Sequence, residues 1–398
     1  MKADQSPGTD CLIVINCGSS SLKFAVFPVG DETVLVKGLA ERLGSPDAVL
    51  TIKRDGETHY VPIPSATHHD ALQVAIASMT GLNPRGIGHR VVHGGEEFTG
   101  SVVIDGNVMA AVERCSSLAP LHNPANLLGM STARELFPDL PQVAVFDTAF
   151  HQTLPPKAFL YAIPYGYYEK LKMRRYGFHG TSHHYVSSEA ARLLGKNPQA
   201  TSLITMHLGN GCSACAIRNG RSVDSTMGLT PGEGLVMGTR SGDVDPALHQ
   251  FLQDQTGMSL SEITTMLNSR SGLLGLSGLS NDMRTLSEAA ANGHERAKVA
   301  IEVFCYRLAK SVCGLMAALD SIDALVFTGG IGENSAWVRN LTISHLKILG
   351  VELDSEKNAR HGQSDGGWIS SSASRIPCLV IPTNEELMIA RETLRLTT

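Results

Sequence analysis

Several short stretches of this chain hold residue types that suit the binding of phosphate and carboxylate oxygens. Asn16-Cys-Gly18-Ser-Ser-Ser21-Leu-Lys23 sets a glycine, a run of serine hydroxyls and a lysine in one turn. Glycine lets backbone N–H groups approach a ligand, and hydroxyls with a lysine suit phosphate oxygens. No second glycine stands directly before Lys23, so this is not a Walker A loop. A similar turn recurs at His207-Leu208-Gly209-Asn210-Gly211. Laid on the first copy, Asn16 falls on His207 and Gly18 on Gly209. A third glycine element, Gly329-Gly330-Ile331-Gly332-Glu333, follows the apolar run 324–327. A strand running into such glycines lets backbone lie flat against an adenine or ribose.

Other stretches suit anions. His89-Arg90-Val91-Val92-His93-Gly94-Gly95 reads as a strand running into paired glycines. A guanidinium there binds a carboxylate through two parallel hydrogen bonds, the alternative being a solvated arginine in a surface loop. The apolar run 143–146 ends in Asp147, and ligands bind at the carboxyl ends of strands in open α/β sheets. An aspartate capping a turn explains the same residue. Tyr176-Gly-Phe178-His179-Gly-Thr-Ser-His183-His184 is rich in histidine but has neither the HExxH pattern nor a nearby cysteine, which argues against zinc. Cys212 and Cys215 stand in a predicted strand, where positions three apart point to opposite faces, so they read as packing. Arg240 lies in the Gly-rich loop 226–246, and such loops carry function more often than helices do.

These residues need a scaffold. At 398 residues the length allows two to three domains of roughly 150 residues each. Hydrophobic residues make up 42% and charged residues 18%, enough for a full core. The net charge of −5 gives no basic footprint for nucleic acid. No apolar run approaches the ~18–20 residues that span a membrane. The N-terminal residues lack a signal-peptide core, so a cytoplasmic protein with eight free cysteines is expected. Apolar runs 11–15 and 24–27 flank the first turn, and 203–217 repeats the pattern, so each copy reads as a buried hairpin. Two such hairpins predict an α/β chain of duplicated domains with the turns facing a central cleft, the actin/Hsp70/sugar-kinase (ASKHA) architecture. Further strands are expected at 34–43 and 48–54. Helices are expected at 70–79, 124–136, 182–194, 295–319 and 386–396, with 271–284 a loop and Pro155-Pro156 at the domain crossover.

The stretch 14–23 resembles the N-terminal signature of the acetokinase (acetate kinase) family, and the similarity runs from about residue 11 to the C-terminus. The resemblance implies a reversible, Mg²⁺-dependent transfer from ATP to acetate, giving acetyl phosphate and ADP in line without a phosphoenzyme. It implies catalytic Asp147, His179 and Arg240, with Arg90, Val92, Leu121, Phe178 and Pro231 binding the acyl substrate. ATP would meet Lys23, His207, Leu208, Gly209, Asn210, Gly211, Asp282, Met283, Arg284, Gly329, Gly330, Ile331, Gly332 and Glu333. Asn16 and Glu385 would support Mg²⁺, with Mn²⁺ able to substitute. The first domain, 1–150 joined by helix 386–398, would be the acyl side, and 151–385 the nucleotide side of a homodimer.

Elementary chemistry qualifies these roles. A carboxylic acid of pKa near ~4–5 is ionised at neutral pH, so the acceptor needs no general base. Asp147 therefore suits orientation of magnesium or arginine rather than proton removal. Acetate is expected over propionate, because Val92 stands where propionate kinases are expected to carry alanine. Residues 271–280 and 294–297 resemble propionate kinases instead. Gly232 stands where the family leads one to expect leucine, which would loosen the loop beside Pro231. The alternative of a different class is a non-kinase ATPase of the same fold, against which Arg90, Asp147 and Arg240 weigh together. A sugar kinase needs a carboxylate base and no arginine clamp.

Overall fold

The apolar run at 11–15 forms the centre of β1 (Thr9–Cys17), which pairs antiparallel with β2 (Leu22–Pro28). The structure is a computed structural model that describes residues 8–120 and 122–398. Its contacts divide the chain into two units, the first comprising the chain up to Phe150 with Asn384–Thr398 and the second His151–Thr383.

In the first unit β3 (Val36–Glu41), β4 (Val49–Arg54) and β5 (Glu57–Pro62) extend the hairpin as an antiparallel meander. β6 (Leu82–Val91) runs parallel to β1, and β7 (Val102–Val103) pairs with β8 (Gln142–Phe146), which is parallel to β6. The sheet order is β5-β4-β3-β2-β1-β6-β8-β7. β5 is absent from the sequence reading because it is a polar edge strand with no apolar alternation. Asp55 and Gly56, with φ of 52° and 82°, form the tight turn that directs it back on β4.

One face of this sheet buries Ile13, Ile15, Phe24, Leu50 and Ile87 with Leu72 of the helix His68–Ala77. That helix starts two residues before the expected position because Thr67 and Asp70 form a capping box. The helix Asn123–Leu136 packs against β1 and β6. The C-terminal helix Glu385–Thr397 also lies on β6 and β1. Its close approach depends on Gly88, where a Cβ would stand 2.3 Å from Thr393 Oγ1 and 2.6 Å from Ile389 Cγ2.

The second unit is built on β9 (Ser202–Leu208), β10 (Cys212–Arg218), β11 (Arg221–Ser225), β12 (Ala324–Thr328) and β13 (Cys378–Val380). Their order is β11-β10-β9-β12-β13, with β9 to β11 antiparallel and β9, β12 and β13 parallel. Within the first sheet the run β3-β2-β1-β6-β8 repeats this arrangement, with β1 to β3 antiparallel and β1, β6 and β8 parallel. The fold is therefore a duplicated α/β fold of the actin/Hsp70/sugar-kinase type.

The expectation of a loop over 271–284 is corrected. Gly272–Ser277 is a short helix and Met283 opens the helix Met283–Ala291. Glycines 272, 275 and 278 lower the helix propensity of that stretch, yet Leu273 is fully buried and holds the turn in place. The long helix ends at Leu315 rather than 319, tightening into a 3₁₀ turn over Met316–Ala318.

Candidate active site

Arg90 stands one residue from the end of β6 and Asp147 directly follows β8, its neighbour in the sheet. Parallel pairing brings the two side chains together. Arg90 Nε donates to Asp147 Oδ1 and Oδ2 at 3.2 and 3.1 Å, and Nη2 donates to Oδ2 at 2.7 Å. The Asp147 charge beside it raises the arginine's already high pKa further against the opposing effect of burial. Arg90 Nη1 makes no hydrogen bond among the described residues. The chain after β6 is fixed by the helix Asn123–Leu136, whose Asn126 Oδ1 accepts from Val92 N at 3.0 Å and whose Asn123 Oδ1 accepts from His93 N at 3.1 Å. Val92 is buried. Leu121 lies outside the described residues.

Asn384 caps the C-terminal helix by accepting from Leu387 N, which places Glu385 and Glu386 in its first turn. Acidic groups are favoured at that end by the helix dipole. Burial raises the Glu385 carboxyl above the usual carboxylate range; Arg90 opposes this, while Asp147 and Glu386 add to it. Lys23, on β2, forms an ion pair with Glu386. Burial works against the charged form of Glu386, but that lysine holds its carboxyl below the ordinary value. Asn16 sits half-buried near the end of β1 opposite Lys23. In the turn between them Gly18 N donates to Ser21 O, and His68 Nε2 donates to Gly18 O at 2.7 Å.

In the second unit His179 precedes the helix Gly180–Leu193 with φ of 55°, a left-handed conformation uncommon for a residue with a side chain. The buried His151 holds the preceding residue by donating from Nε2 to Phe178 O at 2.9 Å. His179 Nδ1 lies 2.9 Å from Ser213 Oγ, and its ring stacks on His207 with centroids 4.2 Å apart. The glycine turn between β9 and β10 comes next to it. A Cβ at Gly211 would stand 3.4 Å from His179 Nε2 and 3.5 Å from Arg240 Nη1. Arg240 Nη1 also donates to Pro231 O at 3.4 Å, and burial lowers its pKa. The loop bearing Pro231 and Gly232 is tied by Arg175, which donates to three carbonyls at 225–227 and to Glu233 at 2.5 Å.

A cavity of about 550 Å³ adjoins this turn, lined by Gly209, Asn210, Asp282, Met283, Arg284, Gly330 and Ile331 from the sequence reading. Trp337, His361 and Ser287 line it too, with no motif to announce them. His207, Leu208, Gly329, Gly332 and Glu333 are not among the lining residues. Gly329, with φ of 75°, presses on Leu208, whose carbonyl oxygen would be 2.8 Å from a Cβ there. The Glu333 carboxylate turns inward, accepting from Gly329 N at 2.9 Å and Thr383 N at 3.1 Å. Asp282 caps its helix by accepting from Thr285 N. Cys212 and Cys215 are buried free thiols with pKa pushed up to about 12 by burial. No cluster of three or more His, Cys, Asp or Glu suited to a metal occurs among the described residues, nor any helix long and apolar enough to cross a membrane.

The duplicated sheet, the glycine turns and the arginines define an ATP-utilising enzyme class. The model of the acetokinase family matches residues 11–391, and the chain belongs to the acetokinase family. It is 54% identical over 386 residues to the acetate kinase of Deinococcus deserti, covering 96% of each chain. It resembles the solved propionate kinase of Francisella tularensis with a TM-score of 0.91 at 46% identity, covering 97% of this chain and 100% of that one. It also resembles the acetate kinase of Porphyromonas gingivalis with a TM-score of 0.91 at 42% identity, covering 98% and 100%.

Proposed function

We propose that this enzyme transfers the γ-phosphoryl group of ATP to acetate, giving acetyl phosphate and ADP, and runs the same step in reverse. The observation that carries this reading is the Arg90 fork. Two of its nitrogens are committed to Asp147, which orients the guanidinium and leaves Nη1 for a small anion. A carboxylate oxygen attacks the γ-phosphorus as the bond to the bridging oxygen breaks, and no proton moves.

Arg90 binds the carboxylate, and Val92, Leu121, Phe178 and Pro231 are assigned to the acyl substrate by resemblance. Asp147 orients Arg90. Arg240 and His179 donate to the equatorial phosphoryl oxygens as their charge redistributes. The turn Gly209–Gly211 and the Asp282–Arg284 and Gly330–Ile331 segments take the nucleotide. Gly329 and Gly332 shape that surface with Glu333, whose carboxylate accepts from the Gly329 and Thr383 amides. The first unit thus serves the acyl substrate and the second the nucleotide.

A divalent metal fits the first unit. Burial raises the Glu385 carboxyl, Asp147 and Glu386 add to that and Arg90 and Lys23 oppose it, so a cation beside Glu385 would favour its charged form. Magnesium takes few protein carboxylates and keeps its waters, which suits Asn16 and Glu385 as its holders. Bound there, it would neutralise charge on the phosphate oxygens. Mn²⁺ has the same oxygen preference. A cytoplasmic homodimer completes the reading.

Propionate is a second acceptor, supported by the likeness to a propionate kinase. One methylene changes discrimination by only ~1–3 kcal/mol. The test is ATP turnover with Mg²⁺ and hydroxylamine trapping, comparing acetate, propionate, butyrate and no acid. Acetyl hydroxamate in excess is expected. Propionyl hydroxamate at or above it would reassign the acceptor. ATP hydrolysis with no hydroxamate from any acid would overturn the kinase reading.

A further inference from the structure

Helix Gly180–Leu193 covers a hydrogen-bonded row that the roles above leave unused. Thr205 and His207 alternate on one face of β9, and Ser213 of β10 stands opposite His207. His179 Nδ1 is 2.9 Å from Ser213 Oγ, and that same oxygen is 2.8 Å from His183 Nε2. His183 Nδ1 is 2.7 Å from Thr205 Oγ1. Thr205, His183 and Ser213 are each 0% exposed. Thr205 makes no other side-chain hydrogen bond among the described residues.

Proton counting restricts this row. A hydroxyl donates one proton, and a neutral imidazole carries one on either nitrogen. His183 is neutral, because burial, with the neighbouring His151 and His207, holds it well below the ordinary imidazole value. With His179 neutral, only two arrangements complete the row with Ser213 donating within it; were Ser213 Oγ to accept from both imidazoles instead, its own buried O–H would have nothing in the row to donate to. In one, Thr205 O–H donates to His183 Nδ1, His183 Nε2–H donates to Ser213 Oγ, and Ser213 O–H donates to His179 Nδ1. The proton of His179 then sits on Nε2. In the other, every bond reverses, His179 Nε2 is a bare acceptor, and the buried Thr205 O–H has nothing to donate to. A buried donor left unsatisfied shifts such an equilibrium by about tenfold or more.

We infer that Thr205, acting through His183 and Ser213, is a positioning residue that fixes His179 as its Nε2–H tautomer. The ring edge beside Gly211 and Arg240 is therefore a donor before substrate arrives. A bare nitrogen at that edge would repel the phosphoryl oxygens. The inference rests on the reading of His179 as a donor to the phosphoryl group.

The experiment is ¹⁵N NMR of the histidine-labelled, substrate-free enzyme, with the His179 signals assigned by their loss in His179→Ala. The wild type should show a protonated Nε2 and an acceptor Nδ1. Thr205→Val keeps the shape and removes the hydroxyl. It should give a tautomer mixture and lower kcat in proportion to the lost Nε2–H fraction, about twofold or more, with KM for acetate and ATP unchanged. Thr205→Ser should restore both. A wild-type His179 protonated on Nδ1, or a Thr205→Val tautomer ratio equal to wild type, overturns the inference. Should Thr205→Val fail to fold, the wild-type spectrum alone decides the direction of the row. His179→Ala with wild-type kcat overturns the donor reading separately, leaving the measured tautomer to stand or fall by itself.

Discussion

Arg90 and Asp147 meet along one edge of the guanidinium, with Nε bridging both carboxylate oxygens and Nη2 adding a 2.7 Å bond. An arginine held at two nitrogens cannot turn about its own axis. The direction of Nη1 is thus set by Asp147. Replacing Asp147 by Asn removes one acceptor and the charge while keeping the volume. KM for acetate is expected to rise about tenfold or more, with KM for ATP little changed. Steady-state kinetics with each substrate varied checks this, and an unchanged KM for acetate would remove Asp147 from the clamp.

Arg240 lies against the glycine turn and pairs with no carboxylate among the described residues, and burial lowers its pKa. Such a group gains its partner when the phosphoryl oxygens arrive. Arg240→Ala is expected to lower kcat by at least ~10², the scale of losing one transition-state donor. Saturating both substrates isolates that effect, and a variant with near-normal turnover would sink the role.

Glu385 supplies a pH prediction. Burial raises its carboxyl, so it takes up a proton at a higher pH than an exposed glutamate. A group of this sign stabilises the folded chain as pH falls through its folded value, because the costly buried charge disappears. Metal binding needs that charge and moves in the opposite direction. KM for Mg²⁺ is expected to climb as pH falls, beginning at a higher pH than an exposed glutamate would give. Glu385→Gln should show a high KM for Mg²⁺ that no longer depends on pH in this window. Activity measured against Mg²⁺ concentration across that pH range decides between the two profiles.

Gly88 sets how closely the C-terminal helix lies on β6. A methyl group there would overlap Thr393 Oγ1 and Ile389 Cγ2, at 2.3 and 2.6 Å. Gly88→Ala is expected to destabilise the first unit by about 1–3 kcal/mol, the usual cost of overpacking a core. The displaced helix carries Glu385 and Glu386, so KM for Mg²⁺ should rise as well. Denaturant unfolding reads the first effect and kinetics the second. Combining it with Ile389→Ala should recover part of the stability.

Local sequence alone determined much of this protein. The alternation of apolar runs with glycine turns marked β1, β2, β9 and β10, because hairpin signals are short-range. Repetition of that pattern implied the duplicated sheet. Arg90, Asp147 and Arg240 were singled out chiefly by the resemblance of their motifs to the acetokinase family, because a solvated arginine or a turn-capping aspartate accounts for the residue types alone. Other features depend on chain segments far apart in sequence, for which no local pattern exists. Glu386 reaches Lys23 only because the last helix returns to the first sheet. Glu333 reads as a nucleotide contact in its motif, yet its carboxylate is taken by Gly329 and Thr383 amides. The Thr205–His183–Ser213 row joins a strand, a helix and a second strand whose residues carry no signature of their own. Residue types and spacing set which groups were available for chemistry. Tertiary packing alone decided which were oriented, paired or turned inward, because those outcomes depend on burial and hydrogen-bond geometry that only the folded chain creates.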